Sequence, residues 1–210
     1  MSVSDTLLVC SSEKGPDKNN AHWLVALSRK YSEWREAQRV QTGVMGFISC
    51  ALSDSRVLIG EWSSTSMELF RVESGPRIAN VHRIHVPEQY NWFSASGGSD
   101  TLVAMTNPYT EQSVRMHRLR GDRLEELARI QLKHPSLLLW LADRLLVADF
   151  DIDFQSHAVI KFEVSDMRLK LRRQLIATSE NIYVHRFCEV NDGVAIFDYK
   201  SKHILHYSFV

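Results

Sequence analysis

Apolar residues in this chain come in short runs, each introduced by polar residues. Five of the runs are versions of one phrase: SDTLLVCSS from Ser4, SRVLIGEWS from Ser55, SDTLVAMTN from Ser99, DRLLVADFD from Asp143 and NDGVAIFDY from Asn191. Counted from Asp5, Ser55, Asp100, Asp143 and Asp192, successive versions lie 43 to 50 residues apart. A single interval shows what fills that spacing. PSLLLWLA (135–142) is an apolar run of strand length, Asp143-Arg144 turns the chain, and LLVADFD follows. After a polar loop, Ile160, Phe162 and Val164 alternate with Lys161, Glu163 and Ser165. Leu169 and Leu171 then alternate with Lys170 and Arg172. Period-two alternation in short runs, punctuated by Asp and Ser, predicts successive antiparallel strands. Each interval therefore holds four strands.

Two segments pull the other way. YSEWREAQRVQ and DRLEELARIQL are rich in helix formers. Their phase matches the strand-like RIANVHRIHV, so they are assigned as half-exposed outer strands, where intrinsic propensity is a weak guide. These fourth strands share a dipeptide at one register: Arg39-Val40, Arg83-Ile84 and Arg129-Ile130, with Gln174-Leu175 in the last full interval. The repeat predicts an arginine along each outer edge.

A period of this length, filled by four strands, resembles the β-propeller repeat superfamily over essentially the whole chain. The Gly-His and Trp-Asp dipeptides of WD repeats are not at their usual places, and Gly97-Gly98 is a single doublet where kelch repeats need one per blade. The expected fold is all-β: a propeller of about five four-stranded antiparallel blades, in units of approximately 1–43, 44–88, 89–134, 135–180 and 181–210. TLLVCSS reads as the second strand of the first blade and KHILHYSFV as the third strand of the last, so both end blades are expected to be incomplete. An irregular five-bladed ring is favoured. A piece of a larger propeller, or a ring completed by self-association or a partner, are the alternatives.

Composition narrows the class. At 210 residues with 44% hydrophobic content, the chain can bury a substantial core. Its 25 basic and 25 acidic residues balance, which argues against a general binder of nucleic acid or membrane surface. The N-terminus lacks the pattern of a signal peptide, and no apolar run reaches membrane-span length. Cys10, Cys50 and Cys188 are odd in number and widely spaced, which suits reduced, packed thiols. The expectation is an intracellular, cytoplasmic protein.

Chemistry is sparse. Asp149, Asp151 and Asp153 in DFDIDF alternate, and a cation loop there is one reading. Phe154 and Ile160 stand where an EF-hand needs glycine and a carboxylate, so a solvated acidic loop is the plainer one. His82 and His85, like His203 and His206, are three apart, an odd offset that sends strand side chains to opposite faces. Arg120-Gly121-Asp122 reads as turn chemistry. Arg168, Lys170, Arg172 and Arg173 form a basic interaction patch or a solvated blade edge. The tryptophans fall at different phases of the repeat, so packing accounts for them better than a repeated sugar site. No nucleophile elbow, phosphate loop or zinc-hydrolase helix motif is present, and no cofactor is expected. The leading expectation is a non-enzymatic scaffold that binds another protein. The alternatives are a lactonase- or esterase-type propeller enzyme with a channel metal near Asp149, Asp151, Asp153 and His157, and a carbohydrate-binding propeller.

Overall fold

The computed structural model describes residues 2–3, 6–14, 20–30, 32–44, 48–52, 55–73, 77–96, 101–107, 109–141, 144–150, 157–165, 168–177, 184–190 and 193–208. Among them every regular element is a β-strand, in five antiparallel sheets that follow one another along the chain. The first holds β1 (Ser2–Val3), β2 (Thr6–Lys14), β3 (Asn20–Lys30) and β4 (Glu33–Thr42). The second holds β5 (Ile48–Ala51), β6 (Arg56–Gly60), β7 (Ser64–Glu73) and β8 (Arg77–Tyr90). β9 (Trp92–Ala95), β10 (Leu102–Asn107), β11 (Ser113–Arg120) and β12 (Arg123–Gln131) make the third. β13 (Pro135–Leu141), β14 (Arg144–Phe150), β15 (His157–Ser165) and β16 (Arg168–Ala177) make the fourth. The fifth has three strands, β17 (Val184–Val190), β18 (Gly193–Asp198) and β19 (Ile204–Ser208). In every sheet the strands lie in chain order, as in a propeller blade.

The repeated phrase is the second strand each time: β2, β6, β10, β14 and β18. One expectation needs correction. The first sheet does have a first strand, the two-residue β1, paired through Ser2 to Leu7 and Val3 to Thr6. An element that short carries no alternation to read.

Both helix-prone segments are outer strands, β4 and β12. Cross-strand pairing explains why phase prevails over propensity. Val40 lies opposite Leu24 and Ile84 opposite Met67, so the aliphatic member of these two dipeptides meets an interior residue; Leu175 is opposite Ile160 in backbone register. The arginines point outward. Arg39 donates to both oxygens of Glu36 at 2.7 and 2.6 Å and to Glu13 at 2.9 Å. Arg129 repeats the arrangement with Glu126 at 3.1 and 3.0 Å and Glu111 at 3.5 Å.

By backbone packing the chain forms two compact units. One comprises Met1–Tyr90 with Gly97–Thr101 and Leu119–Leu124; the other comprises Asn91–Ser96, Leu102–Arg118 and Glu125–Val210. In the first, the facing sheets bury Leu8, Leu24, Ala26, Val57, Ile59, Phe70 and Val72. In the second, Ala104, Val114 and Met116 of the third sheet pack with Leu145, Val147 and Phe162 of the fourth. The other face of the fourth sheet contributes Leu146, Ala148 and Val159, which pack with Val194 and Ile196. β14 is therefore apolar on both faces, the reason LLVA lacks alternation.

Polar stitches fix the sheets laterally. The Gln38 side-chain amide donates to the Ile78 carbonyl at 3.2 Å and accepts from the Ile78 amide at 2.7 Å, imitating a strand pair between β4 and β8. Gln38→Ala removes both bonds and leaves a backbone pair unmatched. The expected cost is about 1–2 kcal/mol, read as a lowered denaturant midpoint with unchanged slope.

Candidate functional site

Alternating strand direction places the end of every second strand beside the end of the fourth strand of the same sheet. The connections leaving second strands and the linkers leaving fourth strands therefore share one end of each blade. Described residues lie in three of these connections, in the second, third and fifth sheets, and the last two share one turn. In the third sheet, the buried Asn107 side-chain oxygen accepts the amides of Tyr109 at 3.1 Å and Thr110 at 3.2 Å. In the fifth, buried Asp198 accepts those of Lys200 at 3.1 Å and Ser201 at 3.2 Å. The same side-chain turn, accepting from the second and third residues onward, thus recurs in two sheets.

Each connection also closes with a non-glycine residue in the left-handed region: Ser63 (φ 56°), Gln112 (φ 51°) and Lys202 (φ 62°). These conformations are uncommon for L-residues and persist where the surrounding bonds impose them. Each connection then holds one aromatic residue in solvent: Trp62 at 60% exposure, Tyr109 at 70% and Tyr199 at 51%. By contrast Phe70, Tyr90, Phe93 and Phe162 are fully buried.

The linkers are anchored by buried acids. Asp149, at the end of β14, accepts the amides of His134 at 2.7 Å and Lys133 at 3.3 Å through its two oxygens. Burial raises its pKa, and the two amide bonds oppose that shift. In the first unit, buried Glu68 accepts the Gly43 amide at 3.0 and 3.1 Å. A Cβ on Gly43 would stand 2.6 Å from that carboxylate, so a larger residue there pushes the Glu68 carboxylate out of this position.

In the third sheet, polar groups tie the Tyr109 turn to the strands below it. Glu111 lies 3.4 Å from the Nε of Arg115, which is 1% exposed, and 3.5 Å from Arg129. Glu126 holds Arg129 and lies 3.8 Å from the buried His117. The Arg129 hydrogen bonds are the main cause that keeps the Glu126 carboxyl below its ordinary pKa. The Leu132 amide donates to the Gln112 carbonyl at 2.9 Å, which joins this turn to the Asp149-anchored linker.

The positions picked out in the sequence are distributed as follows. Asp149 is a buried linker anchor at a strand end, while Asp151 and Asp153 lie outside the described residues. Arg168, Lys170, Arg172 and Arg173 lie along β16, where Arg168 pairs with Ser165 and Lys170 with Glu163 in backbone register; their side chains lie outside the described set. His157 starts β15 opposite Phe150. His82, His85, His203 and His206 are exposed. Arg120-Gly121-Asp122 does form the turn between β11 and β12, with Gly121 at φ 62°. Among the described residues no three His, Cys, Asp or Glu side chains come together as a metal site, and no helix is long and apolar enough to cross a membrane. Cys10 and Cys188 are free thiols, and Cys188 is exposed rather than packed.

The tryptophan expectation holds for Trp140, which is buried in the core, and fails for Trp34 and Trp62, which are exposed. Arg115 and His117 were missed, because alternation with Val114 and Met116 assigns them to solvent. Trp62 and Tyr199 each follow an acid at the end of their version of the repeated phrase (EW at 61–62, DY at 198–199), whereas Tyr109 follows Asn107-Pro108.

No protein-family model matches the sequence, and no curated protein matches it. Solved structures do. A protein from Lactobacillus plantarum matches with a TM-score of 0.53 at 10% identity, over 99% of this chain and 82% of that one. A "putative 6-phosphogluconolactonase" from Bacteroides uniformis matches with a TM-score of 0.53 at 12% identity, over 96% and 77%. At these identities the likeness concerns the fold alone, and with the sheet order it makes the chain an all-β propeller of about five blades.

Proposed function

We propose that the chain is a non-enzymatic protein-interaction module that uses the ends of its blades where second strands finish. The observation that carries this reading is the placement of Trp62, Tyr109 and Tyr199 in solvent, each on the equivalent connection of its sheet. Tyr and Trp dominate binding energy at protein interfaces because they bring large area at low rotamer cost. The Asn107 and Asp198 caps already hold the turns of Tyr109 and Tyr199 before a partner arrives, which lowers the ordering cost of binding. The lactonase-type alternative has Asp149 as its one described carboxylate candidate, and both oxygens of Asp149 already hold linker amides.

Photo-crosslinking tests the reading. A benzophenone amino acid at Tyr109 is expected to yield a discrete adduct with a partner protein. The same probe at Asp122, at the opposite end of the third sheet, is expected to yield none. Excess unlabelled wild-type chain should compete, and a Trp62→Ala, Tyr109→Ala, Tyr199→Ala competitor should be at least roughly tenfold weaker. Equal labelling from both positions, or none from Tyr109, would remove the reading.

A further inference from the structure

We infer that the turn closing the fifth sheet, residues 199–203, docks an acidic segment of a partner protein; the inference rests on the interaction-module reading above. Tyr199, Lys200, Lys202 and His203 are all exposed. The acid in this stretch does not offset the lysines at the surface. Asp198 is buried, and its carboxylate accepts the Lys200 and Ser201 amides and the Ser201 hydroxyl.

The turn is fixed from within. The Lys202 amide donates to the Asp198 carbonyl at 2.9 Å, and the Asp198 amide donates to the His203 carbonyl at 2.9 Å. The Lys202 ammonium lies 3.2 Å from the centroid of the Tyr199 ring, a cation–π contact that holds ring and charge together. An incoming carboxylate thus meets a positioned ammonium with an aromatic surface beneath it.

Among the described residues, the two other such turns lack this character. The second sheet presents Glu61, Trp62 and Ser63, and the third presents Tyr109, Thr110, Glu111 and Gln112. In a chain whose charges cancel overall, two lysines and a histidine within five residues of one capped turn are a local sorting of charge. Complementary charge speeds encounter and selects partners.

Fluorescence anisotropy with three labelled probes tests the assignment: a flexible peptide carrying six consecutive glutamates, its six-glutamine counterpart, and a short oligothymidylate. The glutamate peptide is expected to bind saturably, roughly tenfold or more tighter than the glutamine one, and to weaken as salt rises. Lys200→Glu with Lys202→Glu should cost roughly another tenfold, and Lys200→Gln with Lys202→Gln an intermediate amount, with unchanged thermal unfolding. Equal binding of the two peptides, indifference to the charge reversal, or tighter binding of the oligonucleotide would overturn the proposal. A Tyr109 crosslink that survives the charge reversal would sink this assignment alone. Loss of the Tyr109 crosslink from the wild-type chain would sink the interaction reading beneath it.

Discussion

Gly193→Ala is expected to break the fifth sheet. Gly193 starts β18, where it pairs with Val190 on one side and Ser208 on the other. A Cβ at this position would collide with the Tyr207 carbonyl oxygen and lie 2.8 and 2.9 Å from the Tyr207 carbonyl carbon and Ser208 Cα. The obstruction is backbone, so no side-chain rotation relieves it and β19 has to move away. A glycine inside a strand often marks such an approach. The expected cost is about 2–4 kcal/mol, at the upper end of overpacking effects. Hydrogen exchange should show lost protection across 193–208, with the first unit's strands unchanged. Gly121→Ala is the control. Gly121 has a left-handed φ of 62° and nothing within 4 Å of the added carbon, so its cost is conformational only, about 1–2 kcal/mol. Equal effects of the two substitutions would contradict the steric account.

Asp149→Ala is expected to loosen the linker between the third and fourth sheets. It strips the acceptors from the His134 and Lys133 amides. Each partly buried donor left unmatched costs about 1–3 kcal/mol. In a chain of this size that lowers the melting temperature by roughly 2–4 °C per kcal/mol. Asp149→Asn separates hydrogen bonding from charge. Its single carbonyl oxygen serves one amide while its NH2 faces the other, so it is also less stable at neutral pH, by about 1–2 kcal/mol.

The pH dependence has a definite sign. The folded chain holds the Asp149 proton more tightly than the unfolded chain does, because burial raises the pKa. The associated stability is complete below the unfolded value, about 3.9. It is lost as pH rises through the higher folded value. Wild type should therefore show a component of stability that is present below about pH 3.9 and falls as pH rises above it, a component that Asp149→Asn lacks. A falling component of equal size in both proteins would assign it to other groups.

Much of the architecture follows from the sequence alone. The repeat of second strands, the four-strand plan and the outer-strand reading of YSEWREAQRVQ depend on period and phase, which are properties of order along the chain. The shared Arg39-Val40, Arg83-Ile84 and Arg129-Ile130 register belongs with these, since a strand's alternation dictates which member faces inward. Tertiary structure decided the rest. Whether Arg115 is solvated or buried beside Glu111 depends on what covers the second face of β11, and alternation along one strand carries no information about that. Asp149 reads as the first carboxylate of an acidic loop until the amides of Lys133 and His134, distant in sequence, meet its two oxygens. Trp62 and Trp140 are chemically the same residue. One stands on a two-stranded turn in water and the other between packed sheets, because burial is a property of neighbours brought together by folding rather than of the side chain itself.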